Sequence, residues 1–319
     1  MAVALAVAIL MSGCASRPDW PVNQLSTSTP PRQLLEETPF YPQEQYQCGP
    51  ASLAMMLNAQ GLSTHPEVLK DLVYLPGRDG SLQVEMVAGA RAHDMVVYRL
   101  PDDPGAILEE IDAGHPVLVM QNLRLNWWPK WHFAVVVGYD QEKRVFILNT
   151  DTRQRYEMAY EVFHNTWARA GQWAVVVLPP DQLPATAQLL PYLRSAHDLE
   201  TTGHTHTARQ AYQSAATRWP DQAAPVMAEA NLDYSLGNLS AAKNGFLEVV
   251  QQFPEFPEGW NNLAITLKEA GCDSQAARAS QCASQLAPER FPQPEGEIDK
   301  NASSERTCPA LPACPLIKD

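Results

Sequence analysis

A chain of 319 residues has room for about two domains at roughly 100–200 residues each. With 45% apolar and 18% charged residues it can bury real cores, which excludes wholesale disorder. Its 23 Lys and Arg against 36 Asp and Glu give a formal charge of −13. No basic stretch interleaved with aromatics occurs, so a nucleic-acid groove is excluded and the acidity reads as a solvated surface.

The chain opens with an apolar run, Ala2 to Met11, too short to span a bilayer and fitting the core of a secretory signal peptide. Met11-Ser12-Gly13-Cys14 resembles the lipobox of bacterial lipoproteins. That resemblance implies a signal peptide over 1–13, cleavage before Cys14 and lipidation of its thiol. By the same resemblance, Ala15 after the cysteine implies the outer membrane, with the rest of the chain facing the periplasm. The positive charge that begins a signal peptide is missing, which a late-called start codon accounts for. Residues 14–35 are polar and Pro-rich and read as a tether.

Residues 36–180 alternate helical and strand signals. Helices are expected over Ala51–Gln60, Pro66–Leu72, Leu82–Ala92 and Ala106–Ala113, the first and last closed by Gly61 and Gly114. Short β-branched runs follow as strands: Met95–Leu100, Pro116–Gln121, Phe133–Tyr139, Val145–Leu148 and Trp173–Leu178. Helices first and sheet later give an α+β domain. Pro179, Pro180 and Pro184 end it, so 181–188 reads as a linker.

The remainder repeats. Gly203, Gly237 and Gly271 lie 34 residues apart, as do Ala196, Ala230 and Ala264, then Ala208, Ala242 and Ala276, then Pro220, Pro254 and Pro288. A 34-residue helix–turn–helix period with small residues at the crossings resembles the tetratricopeptide repeat, in units 189–222, 223–256 and 257–290. Tyr212 and Phe246 hold the aromatic position, which falls on Ser280 in the third unit. The expected second domain is therefore all-α, with a concave groove suited to a protein partner. Residues 291–319 read as a flexible or disulfide-tied tail. Setting aside Cys14 and Cys48, four cysteines remain, Cys272, Cys282, Cys308 and Cys314. They suit one or two disulfides in an oxidising compartment, with the pairing open. No CxxC spacing points to zinc, and neither a metal nor a cofactor is expected.

The chemistry concentrates at Gln43-Glu44-Gln45-Tyr46-Gln47-Cys48-Gly49-Pro50-Ala51. A cysteine at a helix start meets unpaired N–H groups and the positive end of the dipole, which favour the thiolate. Gly49 leaves room for a substrate backbone, and Pro50 suits a first turn. An oxyanion formed by attack at a carbonyl needs pre-set donors: the Cys48 N–H and an upstream amide, Gln43 with Gln45 in reserve. His132 heads an apolar strand ending at Gly138 and is the expected base; metal binding at His204 and His206 is a remote alternative. Asp151, or Asn149, at the next strand's end could orient the imidazole, although a hairpin-turn role suits either equally.

Together the Gln43–Leu57 block, His132-Phe133 with its Val-rich strand and Gly138-Tyr139, the Asn149–Asp151 strand end, and Leu75-Pro76-Gly77-Arg78-Asp79-Gly80-Ser81-Leu82 resemble the double-glycine-leader, or bacteriocin-processing, papain-like cysteine peptidases. The resemblance implies a papain-like α+β domain and thiol hydrolysis of amide bonds in a protein or peptide, with Cys48, His132, Asp151 and Gln43 as the catalytic set. Many such proteins are fused to an export ATPase, and no ATPase motif is present here. The rival expectation is a binding lipoprotein that keeps the peptidase frame without turnover; acyl transfer to an amine is a third.

Overall fold

In a computed structural model of the protein, residues 29–43, 48–78, 80–292 and 308–315 are described. The chain divides into two compact units. One comprises the residues up to Gly89 with Arg99–Val177, the other Ala90–Tyr98 with the residues from Leu178 onward.

In the first unit, strand β1 (Arg32–Leu34) precedes helices α1 (Cys48–Ala59), α2 (Pro66–Val73) and α3 (Gln83–Arg91). Past β2 (Val96–Arg99), which falls in the other unit through Tyr98, come α4 (Pro104–Asp112), β3 (Val117–Asn122), β4 (Trp131–Asp140), β5 (Val145–Thr150), β6 (Arg153–Ala159), α5 (Tyr160–Ala168) and β7 (Ala174–Leu178). The strands run in the order β7-β3-β4-β5-β6. Every residue of β4 after Trp131 is buried, as are Gly49 to Leu57 of α1, which packs on β4 and β3. An apolar helix laid on an apolar strand thus fixes where Cys48 begins.

Four details depart from the sequence reading. Arg32–Leu34, assigned to the tether, is a strand paired antiparallel with Gly138–Asp140. β4 does not stop at Gly138 but runs on to Asp140, with a bulge between Val136 and Gly138. A Cβ on Gly138 would sit 2.6 Å from Gln33 O, so glycine here admits β1 rather than ending a strand. The strand β6 and helix α5 were not foreseen. β6 is an edge strand whose RQRYEMA sequence is mostly exposed, so it lacks the apolar alternation that would reveal it.

The second unit holds helices α6 (Leu189–Thr201), α7 (Thr205–Arg218), α8 (Ala223–Ser235), α9 (Leu239–Gln252), α10 (Pro257–Glu269) and α11 (Asp273–Leu286). Gly203, Gly237 and Gly271 close the first helix of each pair with φ of 90°, 75° and 77°, a left-handed turn that glycine adopts without strain. The periodic alanines 196, 208, 230, 242, 264 and 276 are all buried. They let the helices approach closely: a Cβ on Gly245 would lie 2.8 Å from that of Ala230. Within the described part of the tail, Cys308 and Cys314 bond to Cys272 and Cys282. Leu311 then packs on the core cluster that contains Trp260.

Candidate active site

Cys48 is the first residue of α1 and a free, half-buried thiol. It lies against the backbone of Phe133, the residue after His132, and the backbone groups of Phe133, Gly49 and Cys48 itself favour its thiolate. Burial outweighs them and holds the thiol above the ordinary value of 9.0, with the Asp151 charge adding to the rise. The dipole argument alone predicts the opposite sign. It omits desolvation, which only the packed α1–β4 layer reveals.

His132 is buried near the start of β4. Its Nε2 is 2.7 Å from Thr150 Oγ1 and 3.9 Å from Asp151 Oδ1. Nδ1 makes no hydrogen bond among the described residues, and none joins Cys48 to His132. Burial lowers the imidazole pKa from 6.5; Asp151 opposes this, while the charges of Lys130 and Arg153 reinforce it. Neutral thiol and neutral imidazole are therefore the resting forms.

Register explains which neighbour meets the ring. Val135 pairs with Asn149, so Thr150 lies on the face of Ala134 and, two residues on, of His132. Asn149 points to the other face, where its Nδ2 donates to Pro39 O and its Oδ1 accepts the Arg155 N–H. Asp151 leaves the strand alternation altogether: its φ is 49°, a left-handed conformation that Asp tolerates. This turns its carboxylate back toward His132, while Oδ2 is held by Arg153 at 3.3 Å. Thr150 is the neighbour that the sequence reading did not select. Strand alternation could have found it only with the β4–β5 offset in hand.

Gln43 is buried and fully engaged. Its Nε2 donates to Ser52 Oγ at 3.2 Å and to Phe133 O at 3.3 Å, and its Oε1 accepts the Asp151 N–H at 3.1 Å. It ties α1, β4 and the Asp151 turn into one frame. The space over Gly49 is not open to a substrate backbone: a Cβ there would lie 2.1 Å from Ser81 Oγ, which covers it. Gln45 and Cys14 lie outside the described residues. His204 Nδ1 lies 3.0 Å from Asp94 Oδ1, and among the described residues no cluster of His, Cys, Asp or Glu is placed to hold a metal.

Residues 35–175 match the model of the Peptidase_C39 like family, a segment that contains Gln43, Cys48, His132, Thr150 and Asp151. Among solved structures, a C39-like peptidase from Bacillus anthracis aligns over 46% of this chain and 97% of its own, at 17% identity and a TM-score of 0.38. No curated protein matches. Residues 35–175 are thus similar in sequence to that family, and the matched segment holds both Cys48 and His132.

Proposed function

We propose that the protein is a cysteine peptidase that hydrolyses amide bonds of a protein or peptide. The observation that carries this reading is the thiol of Cys48 lying at a helix start against the backbone next to His132, whose far nitrogen is already held by Thr150. In the reaction, Nδ1 of His132 takes the thiol proton as sulfur attacks the carbonyl carbon. The oxyanion receives the Cys48 N–H, and the Gln43 amide once its 3.3 Å bond to Phe133 O gives way. The C–N bond then breaks, the amine leaves with the proton from His132, and water hydrolyses the thioester. Asp151 and Thr150 steady the imidazolium that forms in between.

Around this centre, the lipobox supports an anchor at Cys14 in the bacterial envelope, outer membrane favoured and facing the periplasm. No helix among the described residues is long and apolar enough to cross a membrane. The three helix pairs of 34-residue period support tetratricopeptide repeats that hold a protein partner or present the substrate. A non-catalytic binding role is the second reading; the raised thiol pKa and the fully engaged Gln43 amide favour it.

The test uses the purified full chain without lipid and a mixture of denatured proteins, with new termini mapped by mass spectrometry. We expect cleavage that Cys48→Ala abolishes and that His132→Ala lowers by about 10²–10⁴-fold. Cleavage that persists in Cys48→Ala would overturn the proposal. So would an absence of cleavage together with iodoacetamide labelling of Cys48 that is unaffected by His132→Ala.

A further inference from the structure

Beyond the thiol and its histidine, the hairpin between β3 and β4 carries a second built feature. Leu123, Arg124, Leu125, Trp128 and Arg169 line a cavity of about 350 Å³. Its loop is fixed from within. The Asn122 Oδ1, buried, accepts the N–H groups of Arg124 and Lys130, both at 3.0 Å. Leu123 N donates to Lys130 O and Trp128 N to Leu125 O, so the tip is a tight, tied turn. Arg169, just past the end of α5, donates Nε and Nη2 to Asn122 O at 3.3 and 3.1 Å. Its guanidinium is thereby locked beside the cavity with further N–H groups unused. Arg124 lays its guanidinium 4.7 Å from the Trp128 ring, keeping its edge for a ligand.

The cations beside the cavity have no carboxylate partner, a state that Arg78, Arg155, Arg194, Arg218 and Arg278 share among the described residues. Arg91, Arg99, Arg144, Arg209 and Arg290 each hold a carboxylate. Among the described residues, no carboxylate pairs with Arg124, Arg169 or Lys130, although the chain carries a net charge of −13. Apolar surface is left uncovered beside them: Trp127, Trp128 and Trp131 are 78%, 61% and 52% exposed.

Position relates this cavity to the active site. Gln121 pairs with His132 and Asn122 with Trp131, so the lining begins two residues along β3 from the level of His132. At about 3.3 Å per residue, Leu123 lies roughly 7 Å along β3 from the level of His132, the span of two residues of an extended peptide. We propose that this cavity is a specificity subsite for an acidic side chain of the peptide substrate. The carboxylate binds the guanidinium edges of Arg124 and Arg169, and its methylenes lie on Trp128. The proposal rests on the peptidase reading of Cys48, so its test separates binding from turnover.

Full-length Cys48→Ala protein is titrated, by its tryptophan fluorescence, with acetylated and amidated Ala-Ala-Glu-Leu-Ala-Ala and with the counterpart bearing Gln in place of Glu. The Glu peptide is expected to bind at least fivefold tighter, and that preference should vanish in the added variant Arg124→Gln, an exposed position. Equal binding of the two peptides, binding of neither, or a preference that survives Arg124→Gln overturns the subsite whether or not the wild-type protein turns over. The Gln peptide with a free C-terminus is the third probe. If it binds as well as the Glu peptide, the ligand is a chain-terminal carboxylate and the side-chain assignment falls. In parallel, iodoacetamide labelling of Cys48 in the wild-type chain and its loss on His132→Ala report on the peptidase reading alone.

Discussion

At the scale of single residues, half-buried Cys48 and buried His132 rest uncharged because loss of water penalises either charged form. The sign has a consequence for pH. A thiol held above 9.0 shows no thiolate plateau at neutral pH, so iodoacetamide alkylation of the free protein should climb steadily into the alkaline range. A plateau below pH 7 would mean a preformed thiolate–imidazolium pair. In kcat/KM against pH, the acid limb should fall below 6.5, because a depressed imidazole stays neutral, and so basic, to lower pH. Asp151→Asn removes a charge that raises both groups, and both limbs should then move to lower pH. Thr150→Val removes the direct partner of Nε2. A lost buried hydrogen bond of about 1–1.5 kcal/mol corresponds to roughly a tenfold fall in kcat/KM, with KM little changed. An unaltered kcat for Thr150→Val would leave Asp151 as the orienting group.

At the scale of elements, the site depends on β4 being gripped along both edges. Its first half pairs with β3 through Val136, and from Gly138 onward β1 takes over that edge. Gly138→Ala drives a Cβ to 2.6 Å from the Gln33 carbonyl, a backbone atom that cannot rotate away. We expect a cost of about 1–3 kcal/mol, read as a lower urea midpoint with unchanged slope for the full chain. Gly77→Ala, where a Cβ meets nothing within 4 Å, is the matched control and should be close to neutral. The elements that bear the site were legible in outline. The helix of Cys48 and the strand of His132 carry continuous apolar runs because each is buried, and burial is what hydrophobic pattern records. β6 escaped because an exposed edge strand carries no such record, whereas α5, with Tyr160, Phe163 and Trp167 buried at helical spacing, did carry one. The choice among Asn149, Thr150 and Asp151 escaped for another reason: it turns on a one-residue offset between β4 and β5.

At the scale of the whole molecule, the last helix pair is the exposed end of a stack. It has Ser280 where the earlier pairs have Tyr212 and Phe246, and a tail segment bearing Leu311 packs on its core instead. Two disulfides hold that segment, with sequence separations of 36 and 32 residues. Loops of that length contribute about 3–4 kcal/mol each on chain-entropy grounds, less than additively because the two overlap. Reduction with dithiothreitol should therefore raise hydrogen exchange in α10 and α11 of the full chain while leaving α1 and β4 unchanged. Equal loosening of α1 and β4 would show that the bridges stabilise more than the second unit.

The sequence by itself determined what is local or periodic. A thiol at a helix start, a histidine heading a buried strand, and a 34-residue helix-pair period all follow from residue type and spacing. Tertiary structure alone decided the partners: Thr150 on His132, Ser81 over Gly49, Cys272 with Cys308 and Cys282 with Cys314. It also decided the sign of the Cys48 shift, since desolvation is a property of the packed layer and no stretch of chain carries it alone.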